Sequence, residues 1–285
     1  MVKKVFSEAY ELASQYTWPV IIISKTIDNV VSCSGGAFVI INDDGWFITV
    51  AHIFDLSKKL DYSEPLVSKY TQKVDQIQQN NSLTETDKIN RISKLEKDPD
   101  WVTDLSYWWG MDDAEIENVV FLEENDLVIG RLKNFDLSTI ESYPVFKNPE
   151  NIKPGTSLCK LGFPFHDISA TYDAEKHNFE LCENAVPVPR FPIEGIYTRD
   201  NFEEDDTTGK VGLFLETSSP GLLGQSGGPI FDIKGNVWAI QSKTRSFLLE
   251  FGTETEQYFN VGLGVHPKVI VDFLRQNNIK FNISD

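Results

Sequence analysis

Short apolar runs separated by turn residues dominate the chain. Pro19-Val20-Ile21-Ile22-Ile23-Ser24 and Gly36-Ala37-Phe38-Val39-Ile40-Ile41 read as strands. The second run meets Asn42-Asp43-Asp44-Gly45, a turn signal, and a further strand follows at 46–50. Similar runs recur at 118–122, 127–132, 157–161, 211–216, 228–233, 237–241 and 258–264, most of them punctuated by Gly, Pro, Asn or Asp. Many short strands so spaced predict an all-β sandwich or barrel, and the pattern divides into two halves that could each close.

Three stretches depart from this rhythm. Leu66, Tyr70, Val74 and Ile77 recur at helical spacing, as do Ile89, Ile92 and Leu95, with Gln79-Asn80-Asn81-Ser82 between them. Ser82 and Glu85 make a capping-box pattern, so residues 62–98 are expected to form a helical hairpin inserted into a β-protein. Trp101, Tyr107, Trp108 and Trp109 are expected to pack beneath it. An amphipathic helix is expected at the N-terminus through Val5, Ala9, Leu12 and Tyr16, and another over 267–277 with Val269, Ile270, Phe273 and Leu274 on one face. Residues 165–210 are the least periodic, and their acid run Glu203-Glu204-Asp205-Asp206 reads as a solvated loop.

Composition narrows the function classes. The 285 residues are 41% hydrophobic and 24% charged, an ordinary globular mixture. No window offers the 18 or more apolar residues of a membrane span, and the N-terminus lacks a secretory apolar core, so a cytoplasmic location and no membrane partner are expected. A net charge of −17 disfavours a nucleic-acid partner. Cys33, Cys159 and Cys182 are an odd, scattered set read as reduced thiols. With His166, His177 and His266 they make no credible zinc set, so no metal or other cofactor is expected.

Three motifs carry chemistry. Phe47-Ile48-Thr49-Val50-Ala51-His52 runs a strand into a histidine. Asn125-Asp126-Leu127-Val128-Ile129-Gly130-Arg131-Leu132 places an acid at the start of an apolar strand, with Glu124 as its nearest competitor. Gly224-Gln225-Ser226-Gly227-Gly228-Pro229 sets a serine in a glycine-rich turn. Serine needs a base to take its proton, histidine is the base poised near neutrality, and a carboxylate fixes the histidine tautomer. Glycines beside the serine let backbone amides point at a developing oxyanion.

The order His, Asp, Ser matches the chymotrypsin-like serine proteases. Thr49-Val50-Ala51-His52 resembles their Thr-Ala-Ala-His, and Gly224 to Pro229 resembles Gly-Asp-Ser-Gly-Gly-Pro. The HtrA/DegP-like bacterial branch is similar in further segments, Leu161-Gly162-Phe163-Pro164 and Val261-Gly262-Leu263-Gly264-Val265-His266-Pro267 among them, and no PDZ-like stretch follows. The resemblance implies two six-stranded antiparallel β-barrels: a helix over 1–17, a first barrel over 18–140 with the insertion at 62–98, a second barrel over 141–266, and a helix and tail over 267–285. It implies a catalytic triad of His52, Asp126 and Ser226, an oxyanion hole at Gly224 and Ser226, and substrate contacts at Pro220, Gln241, Ser242 and Lys243. Gln225 stands where zymogens of the family have an acid, so activation by a cut N-terminus is not expected. Pro220 stands where trypsin has its specificity acid, which implies an apolar rather than a basic residue before the cut bond. The expected function is a serine endopeptidase acting on proteins or peptides, a latent form of it being switched on by a regulatory protein at the hairpin. The alternative is a catalytically silent binding or scaffold module on the same fold.

Overall fold

The computed structural model of the chain describes residues 6–204, 209–249 and 257–285. The first part contains α1 (Ser7–Tyr16), β1 (Thr17–Thr26), β2 (Val31–Ile40), β3 (Trp46–Thr49), α2 (Asp55–Gln78), α3 (Glu85–Ile92), β4 (Val102–Trp109), β5 (Glu115–Leu122) and β6 (Leu127–Lys133). The remainder contains β7 (Val145–Phe146), β8 (Ser157–Gly162), β9 (Ala170–Asp173), β10 (Asn178–Leu181), β11 (Phe191–Glu204) and β12 (Val211–Thr217). It ends with β13 (Pro229–Phe231), β14 (Asn236–Leu249), β15 (Gln257–Val265), α4 (Pro267–Gln276) and β16 (Asn282–Ile283). Val5, Asp205 and Asp206, named above, lie outside the described residues. No helix among the described residues is long and apolar enough to cross a membrane.

The strands form two curled sheets. The first has the order β4-β1-β2-β3-β6-β5, all antiparallel. The second runs β13-β8-β11-β12-β15-β14 and closes on itself through a β13–β14 pairing, with β7 and β16 added in parallel beyond β14. Counting each half's own six strands in chain order, both follow the succession 4-1-2-3-6-5, the double-barrel plan. The second closes through hydrogen bonds; in the first, no pairing joins β4 to β5 among the described residues.

The unbroken apolar run of β1 reflects burial on both of its faces. Val20 and Ile22 enter the main core with Phe38 and Phe47, while Ile21 and Ile23 meet Ala37, Phe163 and Val188 on the other side. Truncating one of these isoleucines to alanine costs about 2–5 kcal/mol. β11 escaped the sequence reading for the opposite reason. Of its 14 residues only Gly195, Tyr197 and Asn201 are buried, so hydrophobic periodicity is nearly silent there.

The helical insertion is present with different edges. α2 starts at Asp55, before residue 62, and Leu95 lies beyond α3. The capping box belongs to Thr84 and Asp87, not Ser82 and Glu85. Ser82 is held in the preceding turn by its amide, which donates to Asn80 Oδ1 at 2.9 Å. α2 is fastened to β4, where Ser63 Oγ accepts from the Val102 amide at 3.2 Å and Ser57 Oγ meets Tyr107 OH at 2.9 Å. Tyr70 meets the Trp101 ring just ahead of that strand. Two aromatics leave the expected place beneath the hairpin. Trp109 faces the barrel core against Phe38 and Phe47, and Trp108, its side chain turned to the other face of β4, joins Ile21 and Ile23.

Candidate active site

The histidine, the acid and the serine are each held by a local feature. His52 sits in a 3-10 turn, Ala51–Phe54, whose Ala51, Ile53 and Phe54 are buried while the imidazole keeps 40% of its surface. Asp126 follows the turn Glu123–Asn125 in a left-handed conformation, φ 51° and ψ 46°, which aspartate tolerates better than most residues. Its carbonyl accepts from the Ala51 amide at 3.2 Å, joining the two turns.

The Asp126 carboxylate then grips His52 twice. Oδ1 accepts the His52 amide at 2.9 Å and Oδ2 lies 2.8 Å from Nδ1. A carboxylate only accepts, so Nδ1 carries the proton and Nε2 is left as the free acceptor. Ser242 Oγ donates to the same Oδ2 at 2.5 Å from the second sheet. Burial pushes the imidazole down, but the hydrogen bond and charge of Asp126 outweigh it, so His52 titrates above the usual 6.5. Burial pushes Asp126 up, and the bonds from His52 and Ser242 more than reverse it. Glu124, the rival acid, pairs instead with Lys210 at 3.5 Å.

The serine loop is clamped between the sheets. The Ser226 carbonyl accepts from Ala37 of β2 at 2.7 Å, and the Gly227 amide donates to Gln241 of β14 at 2.8 Å. Gly224 and Gly227 both take positive φ, +92° and +86°. A Cβ at Gly227 would run into the Ala37 carbonyl, and one at Gly224 into Phe163. Among the described residues, neither the Gly224 nor the Ser226 amide donates to a protein acceptor. The Ser226 hydroxyl donates to the Ser242 carbonyl at 3.4 Å, and no hydrogen bond joins it to His52 among the described residues.

A cavity of about 240 Å³ opens beside Ser226, walled by Gly221, Gln241, Ser242, Lys243 and Thr244. Pro220 stands one step behind the wall, its carbonyl turned to Lys160. Thr244 Oγ1 bridges the walls, donating to the Gly221 carbonyl at 2.7 Å and accepting its amide at 2.9 Å. Hydrogen bonds join His52, Asp126 and Ser242, and Ser226, Gln241, Ser242 and Lys243 line one cavity; Gly224 stands two residues before Ser226, and the Pro220 side chain does not line the cavity. Three contributors escaped the sequence reading. Ser242 as a partner of a carboxylate 116 positions away, and Thr244 as a bridge, carry no local signal. Lys160 does carry one, as the lone charge in the run Leu158-Cys159-Lys160-Leu161.

Comparisons with known proteins agree with this fold. The family model described as trypsin-like peptidase domain matches residues 33–240. No curated protein matches the chain in sequence. Among solved structures, an HtrA-type protease AlgW variant with decapeptide aligns with TM-score 0.52 and 12% identity over 95% of this chain and 65% of that one. HtrA-type protease AlgW with tripeptide aligns with TM-score 0.50 and 13% identity over 95% and 62%. The chain thus spans less than two thirds of the length of these structures, and at such identities the likeness is one of fold. The double barrel and the match over most of its length make the chain a member of the trypsin-like peptidase domain family.

Proposed function

We propose that the chain hydrolyses peptide bonds through an acyl-enzyme formed on Ser226. The observation that carries this is the Asp126 carboxylate, held by two bonds to His52 and one from Ser242, which presents the Nε2 lone pair of His52 outward. Ser226 Oγ attacks the scissile carbonyl carbon while its proton passes to His52 Nε2, and Asp126 stabilises the resulting imidazolium. The amides of Gly224 and Ser226 take the oxyanion. His52 returns the proton to the departing amine, and a water activated by the same base then releases the acyl group. Gln241, Ser242 and Lys243 flank the bound peptide, a role supported by their place on the wall beside Ser226.

A latent form of this enzyme is favoured by one observation. The Ser226 hydroxyl lies 3.4 Å from the Ser242 carbonyl and makes no hydrogen bond to His52 among the described residues, so the two side chains must come together before the proton can pass. In our reading a cytosolic partner protein engages the helical hairpin and promotes that alignment. The first helix of the hairpin begins at Asp55, immediately after the Ala51–Phe54 turn that holds His52.

A fluorophosphonate probe tests the reading. Labelling of the wild-type chain that is lost in Ser226→Ala supports it, and labelling only with a partner present supports latency. A folded chain that no phosphonate labels under any condition is the silent scaffold instead.

A further inference from the structure

Behind the wall of the Ser226 pocket lies a buried cation that the proposed chemistry does not use. Lys160 of β8 is 1% exposed, and its ammonium donates to the carbonyls of Ser219 at 2.5 Å and Pro220 at 3.0 Å. Those are the two residues before Gly221, which forms the wall. The ammonium packs against Gly262, where any Cβ would collide with Nζ, so the fold has cleared space for it. No carboxylate pairs with Lys160 among the described residues. The nearest buried acid in sequence, Glu216, is engaged by Arg199 at 3.0 Å and by Thr198.

An ammonium buried on neutral acceptors alone is expensive, and burial drives Lys160 down to about 7. Such a group gains most from an incoming anion. The pocket's own lining points the same way. Its one charged side chain is Lys243, whose ammonium is paired with Glu203 of β11. The pocket thus has a carboxylate-paired lysine at its rim and, behind its wall, an ammonium held by carbonyls alone.

Resting on the assignment of Ser226 as nucleophile, we propose that this pocket receives an acidic side chain, glutamate or aspartate, immediately before the cut bond, with Lys160 as the counter-charge behind the wall and Lys243 at its rim. Lys160 is then a specificity-determining residue. The apolar preference implied by Pro220 alone gives way to it, because the charge that decides the pocket comes from β8 and not from the loop before the serine.

The test uses peptidyl phosphonates that differ only in the residue before the reactive phosphorus: Glu, its neutral isostere Gln, and Leu. Labelling of the full chain is read by mass spectrometry beside a generic fluorophosphonate. The Glu probe is expected to label wild type about tenfold faster than the Gln probe, the value of one charge-assisted interaction. In Lys160→Met that ratio should fall to about one. The wild-type ratio needs no variant, so a misfolded Lys160→Met leaves the test standing. Fluorophosphonate labelling with Leu or Gln preferred over Glu overturns the acidic pocket while sparing the nucleophile. No labelling by any probe, with or without a partner protein, overturns the nucleophile, and the pocket assignment with it.

Discussion

Ser242 Oγ and His52 Nδ1 share one oxygen, Oδ2 of Asp126, at 2.5 and 2.8 Å. The acid supplied by the first sheet is thus steadied by a hydroxyl from the second. Removing that hydroxyl in Ser242→Ala leaves Oδ2 with a single donor and loosens the orientation of the imidazole. The expected loss in kcat/KM is about tenfold, the scale of one charge-assisted hydrogen bond. Ser242→Thr, which keeps the hydroxyl, should recover most of it, and equal damage in both variants would show that the contact is passive.

If the proposed hydrolysis is right, acidification should silence it through His52. The group must be neutral at Nε2 to accept the serine proton, and its titration lies above the ordinary 6.5. The rate is therefore expected to fall to half at a pH above 6.5 as the pH is lowered. A rate that stays flat from pH 8 to pH 5, in protein whose circular dichroism is unchanged, would remove His52 as the base.

Lys160 makes a prediction about stability rather than rate. The unfolded chain keeps the lysine proton up to about its ordinary 10.5, whereas the native site loses it at about 7. Between those values the unfolded state binds more protons, so raising the pH stabilises the fold. Lys160→Met removes that penalty. Its gain over wild type should be a few kcal/mol near pH 7 and shrink as the pH approaches 10. Denaturant midpoints measured across that range check this, and a gain that grows with pH would contradict it.

The hairpin can be removed without touching its anchor. Ser63 Oγ accepts the Val102 amide, so a Gly/Ser linker replacing residues 66–97 spares that contact. The shortened protein is expected to fold and to lose partner-stimulated cleavage while keeping its basal rate. Retained stimulation, measured with a peptide ester and a protein substrate, would place the partner elsewhere.

Much of this was legible in the chain. The strands that bury at least one face announced themselves, and Ala51-His52, Asp126 and Gly224 to Gly228 stood in the order that the fold later brought together. What stayed hidden depends on pairing across distance. β4 and β11 carry half-exposed or mixed residues, so their strand character comes from neighbours such as β1 and β8. The α3 cap moved from Ser82 to Thr84 because a turn had already claimed Ser82. Lys160 was visible as an oddity in an apolar strand, but its meaning lay in the two carbonyls it meets, 59 and 60 positions away.

The bond from the Ala37 amide to the Ser226 carbonyl ties the serine loop to the opposite sheet. The hinge between the halves is consequently no free joint. Any breathing that parts the two sheets must first break a bond at the Ser226 backbone, and deuterium uptake at the Ala37 amide becomes a clock for how often the two sheets come apart there.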